Sequence, residues 1–345
     1  MTSSPQSTSD QWDAFVRNHP RGHVLQLSAW GILKSAFGWS VERVVLGNEG
    51  SIIAGAQLLY RRLPFGLGTM AYLPMGPLLT EQANETALWQ AIDEAAHSKG
   101  ARFLKWEPGV LVDEADRPDY AKLGFMKSPQ TIQPPRTILI DISDSEETIM
   151  ARMNQGTRRK IRQSYKKDVR YFHGQRADMA VFNRLMQTTG ARNEFGVHEP
   201  GYYEMAYDLF VATGDATVIF AEHEGDLLAA IMVFALNDTA WYLYGASSDV
   251  KRNLMASYGV QWEAIQWARA CGCHYYDLWG IPDAEEASLE AQFQARNDGL
   301  WGVYGFKRGW GGRIVRSEGA WDKPCNRLVY LAYQAALRLR GVKQD

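Results

Sequence analysis

Two stretches of this chain repeat the same order of turns and apolar runs. In the first, Glu49-Gly50-Ser51-Ile52-Ile53-Ala54-Gly55 opens an apolar run that reaches Tyr60. In the second, Glu224-Gly225-Asp226-Leu227-Leu228-Ala229-Ala230 opens another that reaches Leu236. Each pattern predicts a strand, a tight turn at the Gly and a longer strand. A further strand follows in both, Thr69 to Leu73 and Thr239 to Tyr244, and then a helix. The helices contain Trp89-Gln90-Ala91-Ile92 and Trp262-Glu263-Ala264-Ile265, keep an apolar stripe, and meet Gly100 and Gly272 where a C-terminal cap is wanted. A last strand closes each copy, Arg102 to Trp106 and His274 to Trp279, with the two Trp residues 17 apart in both. Chance supplies any one of these matches but hardly the ordered set, so the chain reads as a distant duplication.

The length of 345 residues suits two cores, and 46% hydrophobic with 22% charged residues is globular composition. A formal charge of −2 excludes a molecule that grips nucleic acid over its whole surface, so any such partner needs a local basic patch. Cys271, Cys273 and Cys325 form neither a disulfide framework nor a zinc half-site. The polar start from Met1 to Gln11 lacks a signal sequence, and no apolar run approaches the ~20 residues that span a bilayer. The expectation is a reduced, soluble, cytoplasmic protein.

The order strand, hairpin, strand, helix, strand resembles the core of the GCN5-related N-acetyltransferases, a mixed sheet with helices on its faces. The expected fold class is therefore α/β, mixed α+β in detail, with two such domains in tandem. The first is expected over residues 1–143, completed by a C-terminal helix within 321–345, and the second over 144–320, starting with a helical stretch from Glu146 to Thr189. An acetyltransferase holds the pyrophosphate of coenzyme A on a Gly-rich loop, because only Gly lets backbone N–H groups approach phosphate so closely. Here the corresponding stretch is Arg252-Asn253-Leu254-Met255-Ala256-Ser257, with Met255 and Ser257 in the Gly positions. The first copy, at Glu81 to Thr86, has no such loop. With the cradle lost in both copies, the scaffold is expected to serve a different acyl donor.

Several residues bear on that chemistry. Lys307, after Phe306 and before Arg308 in a Gly-rich loop, could supply the cation that an acyl-transfer oxyanion needs; the plainer reading is a solvated surface Lys. Asp277 ends a strand where such a sheet splays open, placed to orient an attacking amine or merely to pair with a base. Tyr72, Tyr242 and Tyr244 fall on repeat-equivalent strands, and Tyr242 and Tyr244, two apart, are expected on one face. That face is either a cleft wall of phenols or a half-buried sheet. From Arg158 to Arg170 run seven bases, Arg158, Arg159, Lys160, Arg162, Lys166, Lys167 and Arg170, against one acid, Asp168. Positions 159, 162, 166 and 170 are expected on one helical face, a stripe that would attract a phosphate backbone. No His stands in a matching motif, so no general base is evident.

Five segments carry a more specific resemblance: Gln26-Leu27-Ser28-Ala29-Trp30 running to Lys34; Tyr72-Leu73-Pro74-Met75-Gly76-Pro77; Arg158-Arg159-Lys160-Ile161-Arg162; Tyr275-Tyr276-Asp277-Leu278-Trp279-Gly280; and Phe306-Lys307-Arg308-Gly309-Trp310-Gly311-Gly312. In this order and spacing they resemble the FemABX aminoacyltransferases, which build side branches and cross-bridges of peptidoglycan. The resemblance covers nearly the whole chain and is to the compact form, without a coiled-coil arm. It implies that an amino acid esterified to tRNA is attacked by an amine on the stem peptide of a UDP-linked or lipid-linked muropeptide. The products are a peptide bond and free tRNA, with no metal or nucleotide cofactor. Because the ester already stores the free energy of the new bond, the protein must add positioning and charge stabilisation.

By the same resemblance, Phe306 and Lys307 support the donor end of the tRNA and the tetrahedral intermediate. Lys34, on a helix capped by Ser28, and Arg192 contact the diphosphate of the acceptor. Tyr72, Tyr242 and Tyr244 are then muropeptide contacts, and Arg159, Arg162, Lys166 and Arg308 tRNA contacts. The implied protein is a monomer, peripheral to a membrane where its acceptor is lipid-linked. Two competing readings are a coenzyme-A-dependent N-acyltransferase of exopolysaccharide or cell-envelope synthesis and a non-catalytic tRNA- or cell-wall-binding protein.

Overall fold

A computed structural model of the chain describes residues 8–48, 51–193 and 196–339. The Glu49-Gly50 turn of the first copy, the Glu194-Phe195 pair, the first seven residues and those from 340 onward lie outside the described residues. In chain order the elements are α1 (Ser9–Asn18), α2 (Ser28–Ala36), β1 (Ser40–Asn48), β2 (Ser51–Arg62), β3 (Thr69–Pro74), β4 (Leu78–Leu79), α3 (Glu85–Ser98), β5 (Ala101–Glu107) and β6 (Met126–Lys127). There follow β7 (Arg136–Asp141), α4 (Glu146–Arg152), α5 (Gln155–Lys166), β8 (Arg170–His173), α6 (Met179–Asn193), α7 (Tyr202–Phe210), β9 (Ala216–His223), β10 (Asp226–Leu236) and β11 (Thr239–Ser247). The chain ends through α8 (Ala256–Ala270), β12 (Tyr275–Asp277), α9 (Glu286–Gln292), α10 (Trp301–Lys307), β13 (Arg313–Arg316), β14 (Trp321–Pro324) and α11 (Arg327–Leu339).

These elements form two compact units, one running to Pro135 and resuming at Arg316, the other spanning Arg136–Val315. The first unit holds a sheet in the order β1-β2-β3-β5-β14-β6, with β4 on β2, and the second a sheet in the order β13-β7-β12-β11-β10-β9-β8. Both sheets contain an antiparallel run of three strands followed by one parallel pair, β3 with β5 and β11 with β12. A parallel pair needs a crossover, and α3 and α8 supply it. Both helices end before a left-handed glycine, Gly100 at φ 65° and Gly272 at φ 84°, where a side chain would be strained. The doubled pattern in the sequence is thus a doubled topology.

The division falls elsewhere than expected. Strand β7, assigned to the first module by a boundary at 143, pairs antiparallel with β12 in the second sheet. The return to the first unit comes at Arg316, ahead of the expected Trp321. The helical stretch from Glu146 to Thr189 is broken by strand β8, which pairs with β9.

Strand β14 completes the first sheet through a buried ionic network. Lys105 on β5 meets Asp322 on β14 at 2.8 Å, both nearly inaccessible. Asp322 also accepts from Ser128 Oγ at 2.6 Å and Tyr330 Oη at 2.8 Å, while Lys105 donates to the Gln130 carbonyl at 2.8 Å. Burying two charges is costly unless each finds such partners, so this set fixes one register for the returning chain. The core beside it is aromatic. Trp89 and Trp106, the equivalently spaced pair, pack edge to face at 4.5 Å, and Tyr120 stacks on Trp321 at 3.8 Å.

Candidate functional site

In the second unit the parallel pair opens. β11 pairs with β12 only from Thr239↔Tyr275 to Trp241↔Asp277, whereas its pairing with β10 continues to Ser247. Beyond Asp277 the strand predicted to reach Trp279 has ended. The Asp277 carboxylate accepts the Trp279 backbone N–H at 2.7 Å, and Trp279 takes a left-handed φ of 56°. This kink lifts the Trp279 and Gly280 carbonyls out of the sheet ladder.

Lys307 fills the space so made. It is the last residue of α10, not part of a loop, and at 7% exposure it is no solvated surface base. Its ammonium donates to the Trp279 carbonyl at 3.0 Å and to the Gly280 carbonyl at 2.8 Å, and lies 5.7 Å from the centre of the Tyr242 ring. Burial lowers its pKa to about 7, the charge of Asp277 opposing the fall. Burial likewise raises Asp277 to about 6, against the pull of its bonds from Thr137 and the Trp279 N–H and of the Lys307 charge. The Thr137 hydroxyl, from β7, donates to the same carboxylate oxygen as Trp279. Phe306 packs the other way, against Tyr258 at 4.9 Å and Trp310 at 5.7 Å. It anchors α10 on α8 and so aims Lys307 at the opened strands.

The two tyrosines of β11 do not share a face. Val233 pairs with Tyr242 and its neighbour Met232 with Tyr244, leaving Leu243 as the extra residue of a bulge. Adjacent residues on β10 point to opposite faces, so their partners do too. Tyr242 lies on the Lys307 side and packs on the core of the second unit. Tyr244 joins a cluster on the other face, its hydroxyl 3.0 Å from that of Tyr202 and its ring against Tyr203 and His198. Tyr72 belongs to the first unit, where it is buried and donates to Glu107 at 2.5 Å. Tyr242 and Tyr244 therefore do not form one wall.

The basic segment divides as well. Arg159, Arg162 and Lys166 lie on α5 and line an open recess of about 540 Å³ with Arg158 and Lys167. Arg170 falls on β8 and pairs with Glu222. A second recess of about 410 Å³ surrounds the start of α8, lined by Lys160, Ser248, Lys251, Arg252, Ser257 and Tyr258 among others. Met255, in a former Gly position, adopts a left-handed φ of 59° in spite of its side chain, and no side chain caps the helix. The two recesses adjoin, since Gln163 of α5 and Lys167 just after it both donate to the Asn253 carbonyl. In the first unit the matching helix start is closed by its own cap, Asn84 accepting from Ala87 N at 3.0 Å.

Three further expected residues have defined partners. Arg308 forms an ion pair with Glu290 and stacks on Phe293 at 4.2 Å, so its charge is largely matched. Arg192 ties α6 to the end of β11, donating to the Ser247 carbonyl at 3.2 Å and to Asp249 at 2.6 Å. Lys34 lies on α2 in the first unit, 4.7 Å over the Trp30 ring, with its pKa lowered to about 8 by burial and by Arg61. Its helix is not capped by Ser28. Asp13 of α1 reaches across to accept the Ser28 N–H at 2.7 Å. Sequence reasoning missed Thr137, Trp279 and Tyr258, whose signal lies only in contacts between distant segments.

Two sheets with one topology, each crossed by a helix at its parallel pair, define a tandem protein of the acetyltransferase-like class. The sequence profile of the FemAB family matches residues 7–226 and 216–338. The chain belongs to that family. It is 26% identical to the lipid II:glycine glycyltransferase of Staphylococcus haemolyticus (strain JCSC1435), over 97% of this chain and 96% of the relative. That alignment runs over 414 positions, so the relative carries residues this chain lacks. A crystal structure of FemX matches with a TM-score of 0.83 at 22% identity, covering 95% of this chain and 98% of that one. A tandem GNAT protein from the clavulanic acid biosynthesis pathway matches at 0.53 and 12% identity, covering 94% and 97%. Both structures share the fold.

Proposed function

We propose that this protein is an aminoacyltransferase of peptidoglycan synthesis, forming a peptide bond between an amino acid carried by tRNA and the stem-peptide amine of a lipid-linked precursor. Family membership and relatives named for glycyl transfer to lipid II support the reaction class and the acceptor. The observation that carries the chemistry is Lys307, a buried cation held on two carbonyls beside Asp277 at an opened sheet. Attack of the amine nitrogen on the ester carbonyl carbon places negative charge on the carbonyl oxygen. A fixed cation in a site of low dielectric stabilises that charge by a few kcal/mol, roughly, because it needs no reorganisation. The intermediate then collapses, the carbon–oxygen ester bond breaks, and the proton lost by the amine balances the one gained by the departing ribose oxygen. Asp277 orients the amine for attack.

The donor reading rests on the adjoining recesses at α5 and the start of α8. Their lining of Arg158, Arg159, Arg162, Lys166 and Arg252 suits a polyanion larger than coenzyme A. The test is transfer of labelled glycine and other amino acids from charged tRNA to lipid-linked and UDP-linked muropeptides by the purified protein. A labelled one-residue branch on the stem peptide is expected with the lipid-linked acceptor. Failure with every charged tRNA, combined with acetyl transfer from acetyl-coenzyme A, would give the site to the thioester donor instead.

A further inference from the structure

Helix α11 is fixed to the first unit by one face only. Tyr330, 3% exposed, and Tyr333 pack on Phe103 of β5 at 5.3 and 5.0 Å, and the Tyr330 hydroxyl donates to Asp322 at 2.8 Å. The opposite face carries Leu328, Leu331, Ala332 and Ala335, at the spacing that makes one line along a helix. Leu328 is 80% exposed and Leu331 59%. Two leucines left in water to that extent, on a helix already anchored by its other side, are an unused apolar surface.

The charge of the chain from Arg327 onward points to what covers this stripe. The sequence there holds four bases, Arg327, Arg338, Arg340 and Lys343, against one acid, Asp345, in a chain whose formal charge is −2. Pairing two copies through α11 would bring two such net-basic segments together. A sheet of anionic headgroups over acyl chains meets both the bases and the leucines, the arrangement of an amphipathic helix lying in a membrane interface. We propose that the outer face of α11 is a membrane-docking surface that seats the protein on an anionic bilayer. This seat is separate from any hold on a lipid-linked acceptor and needs none to be present.

The experiment is co-sedimentation of the full chain with vesicles of phosphatidylglycerol and phosphatidylcholine in roughly equal parts, and with phosphatidylcholine alone, all free of peptidoglycan precursor. Binding is expected to the anionic vesicles and to weaken as salt is raised. Leu328→Ser with Leu331→Ser should lower the partition coefficient by about tenfold or more, since both apolar side chains leave the acyl boundary. Arg327→Glu should lower it by about fivefold or more. Because these side chains point outward, the thermal melt of each variant should match the parent. Undiminished binding by the double serine variant, or no binding at low salt, would overturn the proposal. So would a lipid-free dimer in sedimentation equilibrium that the serine variant converts to monomer, which would assign the face to a second copy. Loss of aminoacyl transfer is not part of this readout, so the two proposals fail independently.

Discussion

Tyr242 and Tyr244, two residues apart on β11, face opposite sides of their sheet because the bulge at Leu243 reverses the alternation between them. Tyr242 thereby stands over the Lys307 ammonium and Tyr244 against Tyr202. Substitutions at the two should separate cleanly. Tyr242→Ala is expected to slow aminoacyl transfer. Gly245→Ala should act in the same direction, because a Cβ there would strike the Tyr242 hydroxyl and ring. Tyr244→Phe should leave transfer intact and cost about 1 kcal/mol of stability in a denaturant titration, the value of one lost hydrogen bond. The reverse pattern would put the working face on the Tyr244 side.

The pair Lys307 and Asp277 sets the pH dependence. Burial lowers the lysine to about 7, so its cation is lost as pH rises through that value. Burial raises the aspartic acid to about 6, so its carboxylate is lost as pH falls through that value. Dividing the parent rate by the Lys307→Ala rate at each pH cancels the ionisation of the acceptor amine. That ratio should fall as pH rises through about 7, a limb well below the ordinary lysine pKa of about 10.4. The acid limb set by Asp277 should appear in the parent rate itself, and Asp277→Asn should remove it there. Asp277→Asn should also move the basic limb to lower pH, since the carboxylate holds the Lys307 pKa up. A ratio flat to pH 10, roughly, would remove Lys307 from the mechanism. Below the basic limb the ratio should be about 100 or more.

Glu107 governs a different property. Its carboxylate accepts from the Tyr72 hydroxyl and from the backbone N–H groups of Ile132 and Gln133, all in the first unit. Glu107→Ala strands these buried donors, and the expected loss is about 2–4 kcal/mol in chemical denaturation. Burial raises the Glu107 pKa. The folded carboxyl therefore binds its proton more tightly than the unfolded one. Its contribution is fully present below the unfolded pKa and declines as pH rises through the folded value. Glu107→Gln should flatten that decline.

On α5, Arg159→Glu combined with Arg162→Glu should weaken tRNA binding by about tenfold or more at moderate salt. It should also reduce the slope of log affinity against log salt by about 1 for each phosphate that the helix no longer neutralises. Arg308→Gln should leave the slope unchanged, because the Arg308 charge is already matched by Glu290. Filter binding of tRNA at several salt concentrations reads both. A slope indifferent to the α5 pair would place the donor elsewhere.

Much of the fold was legible because it is local and doubled. Apolar alternation, the Gly stops after α3 and α8, and the order of elements each need only a short window of sequence. The copies supported one another where either alone was weak. Lys307 was also legible as a candidate, from its place between Phe306 and the Gly-Trp-Gly-Gly turn. Its character was not. A lysine in a Gly-rich stretch reads as solvated until Trp279 and Gly280, 28 and 27 residues earlier, are seen to hold it.

The sequence by itself determined that two hairpin–helix–strand modules follow one another, that neither keeps a glycine cradle, and that bases gather in α5. Tertiary structure decided the rest. It moved β7 into the second sheet, sent Tyr244 to the far face, matched Arg308 with Glu290 and buried Lys307 beside Asp277. The physical reason is one of range. Helix and strand periods are written in neighbouring residues, whereas a bulge, a buried charge or an ion pair depends on which distant segments exclude water together.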